Sequence, residues 1–478
     1  MLTKNQGLCE APLSRRALVG GATGLAVSAL LAACGASATA TPPPAPTVTG
    51  VPAASSAASA APAASSAAAP SAAASSAPAA SAAPSTAPAA VASPTRPAAS
   101  AAAAATPATS AAPVQVKDTV KVGLIVSKTG PLQSYAEQYL EGFDIGLDYA
   151  TKGTGVVNGH RIEPAIKDDA ADPATAVAAA KDLIGQGYKI LAGSTSSGVA
   201  LQVAPLAEQN QILFVSGPAA TDALQGINGN TFRSGRQSYQ DVTTTKSFLP
   251  DPKGKTILVF AQDTAFGQSN VAAVKAVFGA DGATVDQLLV PQDAKDFAPF
   301  AQQVVTKKPD LIFVAWAGTT ATAMWGALDS QGVLTSNKVV TGLDQRASYP
   351  TFGPAADKIA FLSHYIYQAP QNEVNQVLID KLKAKGKVPD LFHSDGFVAA
   401  QMVVRAVGEA DGVAVDKLIK ALEGYAFKGP KGDYTIRKED HALVQPMFQA
   451  KLVKQGNDYE SQVVATVAPD KVAPPIKK

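Results

Sequence analysis

The chain has 478 residues and a formal net charge of +2, with 40 Lys and Arg against 38 Asp and Glu. The basic residues are scattered along the chain, so charge gives no case for nucleic-acid binding or for adsorption to an anionic membrane surface. Both cysteines, Cys9 and Cys34, precede every predicted strand and helix, which excludes disulfides, thiol nucleophiles and cysteine zinc sites from the globular part. The four histidines stand far apart, and neither a metal nor a cofactor is expected.

The first 34 residues have the pattern of an export signal. Arg15 and Arg16 precede an uncharged apolar run over 17–33, which is shorter than a membrane span of about 20 residues. The run ends in LLAAC, which resembles a bacterial lipobox. That resemblance implies removal of a signal peptide, residues 1–33, and a lipid on Cys34. The paired arginines also resemble a twin-arginine signal, and the export route stays open.

Residues 34–116 form a long segment of Ala, Ser, Pro and Thr in which Arg96 is the one charged residue. Such a composition buries too little apolar surface to offset the entropy of ordering, so it predicts a disordered linker. A flexible chain of this length spans roughly 50 Å or more. A lipid on Cys34 would therefore hold the rest of the protein at the outer face of a membrane and leave it free to move around its anchor.

From Thr119 onward, short β-branched runs alternate with amphipathic stretches, which is typical of an α/β fold with parallel strands. The run at 119–127 is predicted to be a strand, and apolar residues at helical spacing predict a helix over 135–150. Asp172 is predicted to be the N-cap of the next helix, with Pro173 in its first position and Gly187 past its end. Strands at 188–194 and 211–217 flank a helix over 197–210.

A second series of strands and helices begins at about Gly254 and repeats this construction, with a helix predicted over 269–280. Two such series predict two lobes of similar build. The globular part contains no dinucleotide-binding or phosphate-binding glycine motif and no G-x-S-x-G nucleophile motif. Asp168 and Asp169 are adjacent on a strand and should point to opposite faces, so an acid–base pair, and with it a hydrolase such as an amidase, is disfavoured.

Four stretches in order carry a resemblance to a known family: VSKTGPLQSYA at 126–136, DDAADPATAVAAAKDLI at 168–184, the segment 193–224, and the segment 429–453. The chain resembles the branched-chain amino-acid type of extracytoplasmic solute-binding protein, which serves ABC importers and has the type I periplasmic-binding fold. The resemblance implies two lobes, each a mostly parallel sheet flanked by helices, with a ligand cleft between them. It implies a solute-binding region over 117–478, divided into lobe 1 (about 119–238 and 369–445) and lobe 2 (about 239–368 and 446–467).

The resemblance also implies where a ligand carboxylate would bind, because helix N-termini in this family point into the cleft. The hydroxyls and amides of Ser196 and Ser197 are predicted to hold one carboxylate oxygen, and the segment Ala219, Ala220 and Thr221 the other. The alternative for the serines is ordinary N-capping, for which Ser is favoured in any case.

An amino-acid ligand needs a counter-charge for its ammonium, since burying an unpaired charge is unfavourable. Asp344 lies where relatives place an acidic residue, although a loop aspartate that faces solvent or pairs with Arg346 is the alternative. Tyr135, Phe266 and Trp316 are predicted to form the apolar walls of the site. Phe266 replaces a tyrosine that is common in relatives, which leaves open whether the ligand is an amino acid, an amide, a urea or an aromatic acid.

The predicted function is that of a lipid-anchored, extracytoplasmic receptor that closes on a small polar solute, such as an amino acid or amide, and delivers it to ABC permease subunits. No catalysis and no nucleic acid are involved, and a monomer is expected. The alternative is a sensor with the same fold that signals through a membrane receptor.

Overall fold

A computed structural model describes residues 115–477. The predicted signal peptide, the lipidation site Cys34 and all but the last two residues of the predicted linker therefore lie outside the described residues. No helix within 115–477 has both the length and the apolar character needed to cross a membrane.

The first part of the described chain folds into a six-stranded sheet whose strands are all parallel except β2. The strand order is β2-β3-β1-β4-β5-β6, in which long βαβ connections place helices on both faces. The elements are β1 (Asp118–Val126), α1 (Gln133–Ala150), β2 (Val156–Val157), β3 (His160–Asp168), α2 (Pro173–Gly185), β4 (Ile190–Gly193), α3 (Ser197–Gln209), β5 (Leu213–Ser216) and β6 (Thr231–Arg233).

The second part builds a seven-stranded sheet in the order β16-β15-β11-β10-β9-β7-β8. Its five strands from β11 to β8 are parallel, and the last two strands of the chain add an antiparallel edge. The elements are α4 (Ser238–Thr244), β7 (Thr256–Gln262), α5 (Ala265–Val274), β8 (Thr284–Val290), α6 (Ala298–Lys307), β9 (Leu311–Ala315), α7 (Ala321–Ser330), α8 (Val333–Ser336), β10 (Val339–Gly342), β11 (Ile359–Ser363), β15 (Met447–Gln455) and β16 (Asp458–Val467).

Between β11 and β15 the chain returns to the first sheet. There α10 packs along α1, and buried Tyr139, Phe143 and Val398 share one core with β1 and β4. The elements of this return are α9 (Glu373–Ala384), α10 (His393–Ala410), α11 (Val415–Leu422), β12 (Ala426–Gly429), β13 (Gly432–Ile436) and β14 (Leu443–Val444). The chain thus crosses between the sheets after β6, after β11 and after β14. The predicted two-lobed α/β fold is confirmed.

Local signals explain one helix start that the sequence predicted and one that it did not. Asp172 caps α2 by accepting a hydrogen bond from the Thr175 amide at 2.7 Å, as predicted. The helix predicted over 269–280 instead begins at Ala265, because the Thr264 side chain accepts from the Gly267 amide. Phe266 therefore lies in the first turn of α5, where a turn between elements was expected. A π-helical turn over Lys275–Gly279 continues this helix.

The last residues fold back against the first crossover instead of extending from the second sheet. After β16, α12 (Pro469–Val472) packs against α4, and Asp440 holds the segment that follows. The Asp440 carboxylate accepts hydrogen bonds from Arg437 at 2.6 and 2.7 Å, from Gln225 at 2.6 Å and from the Lys477 amide at 3.0 Å. This carboxylate ties the segments around Gln225 and Arg437 to the end of the chain.

Asp440→Asn should lower the free energy of unfolding at pH 7 and reduce the change of that free energy between pH 7 and pH 2. Burial alone would raise the pKa of Asp440, but hydrogen bonds from Arg437 and Gln225 outweigh it and lower that pKa to about 2. A depressed carboxyl pKa stabilises the fold above the unfolded value of about 4, and this contribution is lost as the pH falls toward 2. With allowance for nearby solvent, we expect a loss of about 1–2 kcal/mol at pH 7.

Urea unfolding between pH 7 and pH 2 measures this effect, with Glu439→Gln, an exposed neighbouring carboxylate, as the control. A difference between Asp440→Asn and the unsubstituted chain that stays constant down to pH 2 would contradict the assignment.

Candidate functional site

The carboxyl ends of the two parallel sheets face each other across a cavity of about 330 Å³, named here the interlobe cavity. Ligands in open α/β sheets bind at the carboxyl ends of strands, so this is the expected place for a site. Lobe 1 contributes loops that follow β1, β4, β5 and β6; their lining residues include Leu132, Tyr135, Ser196, Ser197, Ala220 and Arg236. Lobe 2 contributes loops that follow β7, β8 and β9; their lining residues include Gln262, Thr264, Phe266, Lys295, Ala317 and Thr320.

The N-terminus of α3 opens onto this cavity. Ser196 holds the N-cap position, yet its side chain makes no capping hydrogen bond within the described chain. Ser197 is the first helical residue, and both serines line the cavity. Ser194, with φ of 71°, is held in the left-handed region, and its amide donates to the Ile125 carbonyl at 2.6 Å. The hydroxyl of Ser196 and the free amides of the first turn are thus available to an anionic or polar group.

A buried hydrogen-bonded group lies behind this loop and fixes Thr195, which also lines the cavity. The Ser127 hydroxyl donates to Asp169 at 2.6 Å and lies 2.5 Å from the Thr195 hydroxyl. Asp168 has other partners, since it accepts from the Thr129 hydroxyl at 2.7 Å on the exposed side. The two adjacent carboxylates therefore accept hydrogen bonds from the same loop, which joins β1 to α1, one on its buried side and one on its exposed side.

The segment after β5 is divided between the cavity and the core. Ala220 lines the interlobe cavity, whereas Ala219 packs in the core beneath α3. Thr221 is buried and does not line the cavity; its hydroxyl accepts from the Ala223 amide at 3.3 Å, and its carbonyl accepts from Arg233 at 2.7 Å. The structure therefore brings Ala220 to the two serines and leaves Thr221 as a helix cap.

The predicted aromatic walls contribute to two adjoining spaces. Tyr135 and Phe266 line the interlobe cavity and also a smaller cavity of about 60 Å³ beside it, named here the side cavity. Trp316 lines the side cavity alone, where its ring stacks on Phe260 and its indole N–H donates to Thr320 at 3.0 Å. Phe392, a residue that the sequence analysis missed, lines both spaces and lies 4.6 Å from the Tyr135 ring.

Asp344, in lobe 2, lines the side cavity and accepts a hydrogen bond from Tyr135 of lobe 1. The Tyr135 hydroxyl donates to its Oδ1 at 2.7 Å and accepts from the Gly318 amide at 3.3 Å, while the Gln345 amide donates to the same Oδ1 at 2.8 Å. Burial raises the pKa of Asp344, and the hydrogen bond from Tyr135 opposes that rise. Arg346 pairs with Glu460.

Arg236, at the first crossover, is a charged group that sequence reasoning missed, as is Lys295. Arg236 lines both cavities, its Nη1 donates to the Pro218 carbonyl at 2.8 Å, and its Nε lies 3.2 Å from the Asp241 carboxylate. Burial raises the pKa of Asp241 to about 6, and Arg236 opposes that rise. Within residues 115–477, no three His, Cys, Asp or Glu side chains are grouped closely enough to hold a metal ion.

A family model and individual relatives both match this chain, and they point to the same family. The family described as "Periplasmic binding protein" matches residues 119–457. The "Leucine-, isoleucine-, valine-, threonine-, and alanine-binding protein" of Pseudomonas aeruginosa is 27% identical over 333 residues, which cover 66% of this chain and 85% of that protein. The Leu/Ile/Val-binding protein BraC3 of Rhizobium johnstonii is 29% identical over 198 residues, and this match spans about half of that protein, 53%, and 41% of this chain.

Solved structures that resemble this chain agree with the family match. An ABC-type branched-chain amino acid transporter structure from Rhodopseudomonas palustris is 33% identical with a TM-score of 0.64, covering 75% of this chain and 99% of that one. A solute binding protein of an ABC transporter from R. palustris BisB5, in complex with 3,4-dihydroxy benzoic acid, is 26% identical with a TM-score of 0.66, covering 73% and 98%. With the family match, the two sheets and the interlobe cavity, the chain belongs to the periplasmic binding protein family, in its leucine-binding-protein-like, type I branch.

Proposed function

We propose that this chain is the substrate-binding lipoprotein of an ABC importer, which takes a small polar solute such as an amino acid or an amide into the interlobe cavity and delivers it to a membrane permease. The observation that carries the proposal is the cavity of about 330 Å³ between the carboxyl ends of two parallel sheets, onto which the N-terminus of α3 opens. No catalytic step is part of this function. The family is extracytoplasmic, and the lipobox-like sequence at Cys34 supports anchoring at the outer face of the membrane.

In this proposal the solute's polar group binds in front of Ser196 and Ser197. Free backbone amides at a helix N-terminus and the helix dipole stabilise a carboxylate or a carbonyl oxygen. Ala220, Phe266 and Phe392 provide apolar contact for the rest of the solute. An amino-acid solute would also need Asp344, which lies in the side cavity behind Tyr135.

Delivery requires that the solute change the balance between open and closed lobes. A solute that contacts both lobes binds the closed form better and shifts the population toward it. The interlobe cavity has walls from both lobes, and Tyr135 already joins α1 to the loops that follow β9 and β10. A permease would then recognise the closed form.

Thermal unfolding of the full chain against amino acids, amides, ureas and small carboxylates tests this function. A solute that binds the native state alone raises the melting temperature by mass action. Ser197→Ala, which removes one hydroxyl from the cavity wall, should weaken binding of the same solute about tenfold. If no compound on the panel raises the melting temperature, the proposal fails.

Tyr135→Phe should weaken binding of that solute about tenfold with little change in the shape of the cavity. The hydroxyl donates to a carboxylate across the lobes, and a hydrogen bond to a charged group contributes about 1.5 kcal/mol. Its loss makes the closed form less populated, and each 1.4 kcal/mol corresponds to about tenfold in affinity. Titration calorimetry measures the change.

Tyr149→Phe, on the exposed end of the same helix, is the matched control and should bind as the unsubstituted chain does. Equal affinities for Tyr135→Phe and Tyr149→Phe would show that the contact between Tyr135 and Asp344 does not favour closure.

A further inference from the structure

The charged residues that line the interlobe cavity are all basic. Two of its lining residues are basic, Arg236 and Lys295, and none of its described lining residues is acidic. The N-terminus of α3 adds the positive end of a helix dipole on the same side as Arg236. A carboxylate gains from all of these groups, whereas an ammonium buried among them would have no counter-charge in contact.

Arg236 is placed to contact a solute directly. Its side chain is only 12% exposed, its Nη1 is held by the Pro218 carbonyl at 2.8 Å, and its guanidinium lies 6.0 Å from the Phe392 ring centre. Asp241 lies 3.2 Å from Nε. Within residues 115–477, Nη2 has no hydrogen-bond acceptor and is not among the unpaired atoms buried from solvent, so it remains available to a solute. A guanidinium fixed by other contacts binds a carboxylate with little further loss of entropy.

The two carboxylates that line the side cavity, Asp241 and Asp344, each lie against a group of the protein, although Oδ1 of Asp241 has no hydrogen-bond partner among the described residues. Asp241 faces the side cavity and pairs with Arg236. Asp344 also faces the side cavity, and its Oδ1 receives both the Tyr135 hydroxyl and the Gln345 amide. A space of about 60 Å³ has room for a few water molecules at most, so the body of an amino acid does not fit in it. Pairing of an ammonium with Oδ1 of Asp344 would also have to compete with the hydrogen bond from Tyr135.

From this arrangement we propose that Arg236 determines specificity and that the solute is a small carboxylate without an ammonium group. Its carboxylate binds between Arg236 Nη2 and the first turn of α3 at Ser196, and its apolar body lies on Phe392 and Phe266. The proposal rests on the function proposed above and narrows its solute class from amino acids and amides to unaminated acids.

Pairs of compounds that differ only in the α-ammonium test the proposal on the full chain by titration calorimetry. The pairs are 4-methylpentanoate with leucine, 3-phenylpropanoate with phenylalanine, and pentanedioate with glutamate. We expect at least one acid to bind at least tenfold more tightly than its amino counterpart. This comparison needs no substitution, so it does not depend on whether a variant folds.

Arg236→Gln should weaken binding of that acid at least tenfold. Arg236→Lys keeps the charge but loses the fixed planar geometry, so its affinity for the acid should lie between those of Arg236→Gln and the unsubstituted chain. Lys255→Gln removes an exposed basic group of lobe 2 that lies outside both cavities and is the matched control. An acid that binds Arg236→Gln as tightly as it binds the control would overturn the role of Arg236.

An amino acid that binds as tightly as its unaminated acid overturns the narrowed solute class and leaves the receptor function in place. If none of the six compounds binds but an amino acid, amide or urea of the wider panel does, the narrowed class is overturned; a small carboxylate of that panel that binds instead upholds it. If compounds of the wider panel also fail to bind, the proposed function fails with it.

Discussion

Gly396→Ala is expected to destabilise the protein by about 3 kcal/mol or more, because α1 and α10 pack there with their backbones in direct contact. A Cβ atom on Gly396 would lie 1.9 Å from the Tyr139 carbonyl oxygen and 2.7 Å from the Phe143 amide nitrogen. Gly142 makes the reciprocal approach, since its Cβ would lie 2.1 Å from the His393 carbonyl oxygen. These neighbours are backbone atoms, so the whole helix pair would have to separate. Urea unfolding measures the loss.

Gly185→Ala is the matched control for this experiment. Gly185 is the last residue of α2. Apart from its two chain neighbours and the nearby backbone of α2, no atom lies within 4 Å of the Cβ that alanine would add. Replacing a helical glycine by alanine here should leave the stability unchanged or raise it by up to about 1 kcal/mol. Similar unfolding midpoints for the two variants would contradict the close packing of α1 on α10.

Gly198→Trp is expected to abolish solute binding while leaving the fold intact, with a loss of affinity of about a hundredfold or more. Gly198 is the second residue of α3 and lines the interlobe cavity. Its Cβ would meet only Pro173 at 3.7 Å and Ser196 at 3.8 Å, which are ordinary contacts, so the backbone tolerates a side chain. An indole at this point would occupy the space in front of the α3 N-terminus.

The measurement is titration calorimetry with a solute that binds the unsubstituted chain, together with the melting temperature of each variant without solute. Gly185→Trp places the same indole on α2, away from the cavity, and should bind normally. If Gly198→Trp binds the solute as tightly as Gly185→Trp does, the solute does not lie in front of α3.

The order of strands and helices was predictable because each element carries a local pattern. The buried run of β1 and the cap at Asp172 depend on neighbours in sequence, and both appear where the pattern places them. The early start of α5 is not evident from the sequence because its cap, Thr264, stands two residues after the end of β7, where a connecting loop is the ordinary expectation. The return of the chain end to Asp440 has no sequence pattern, since the contact with Gln225 joins residues 215 positions apart.

The site was predictable where it follows from strand ends and not where it depends on distant pairs. Ser196 and Ser197 come three and four residues after the end of β4, so a parallel sheet brings them to its carboxyl edge, where the structure places them. Asp344 was singled out through the family resemblance, but its contact with Tyr135 spans 209 positions and could not be inferred. Arg236 gave one local signal, a second arginine closely following a strand that ends in Arg233. Whether Arg236 faces the cavity depends on the backbone path of the connection that follows β6, which the sequence does not reveal.

Titration calorimetry of the unsubstituted full chain against the panel of amino acids, amides, ureas and small carboxylates tests the central claim most directly, because it counts binding sites as well as measuring affinity. The structure predicts one site per chain, with a Kd in the micromolar range or below for at least one solute. Heats that do not saturate for any solute, or saturation at several solutes per chain, would contradict a single interlobe site.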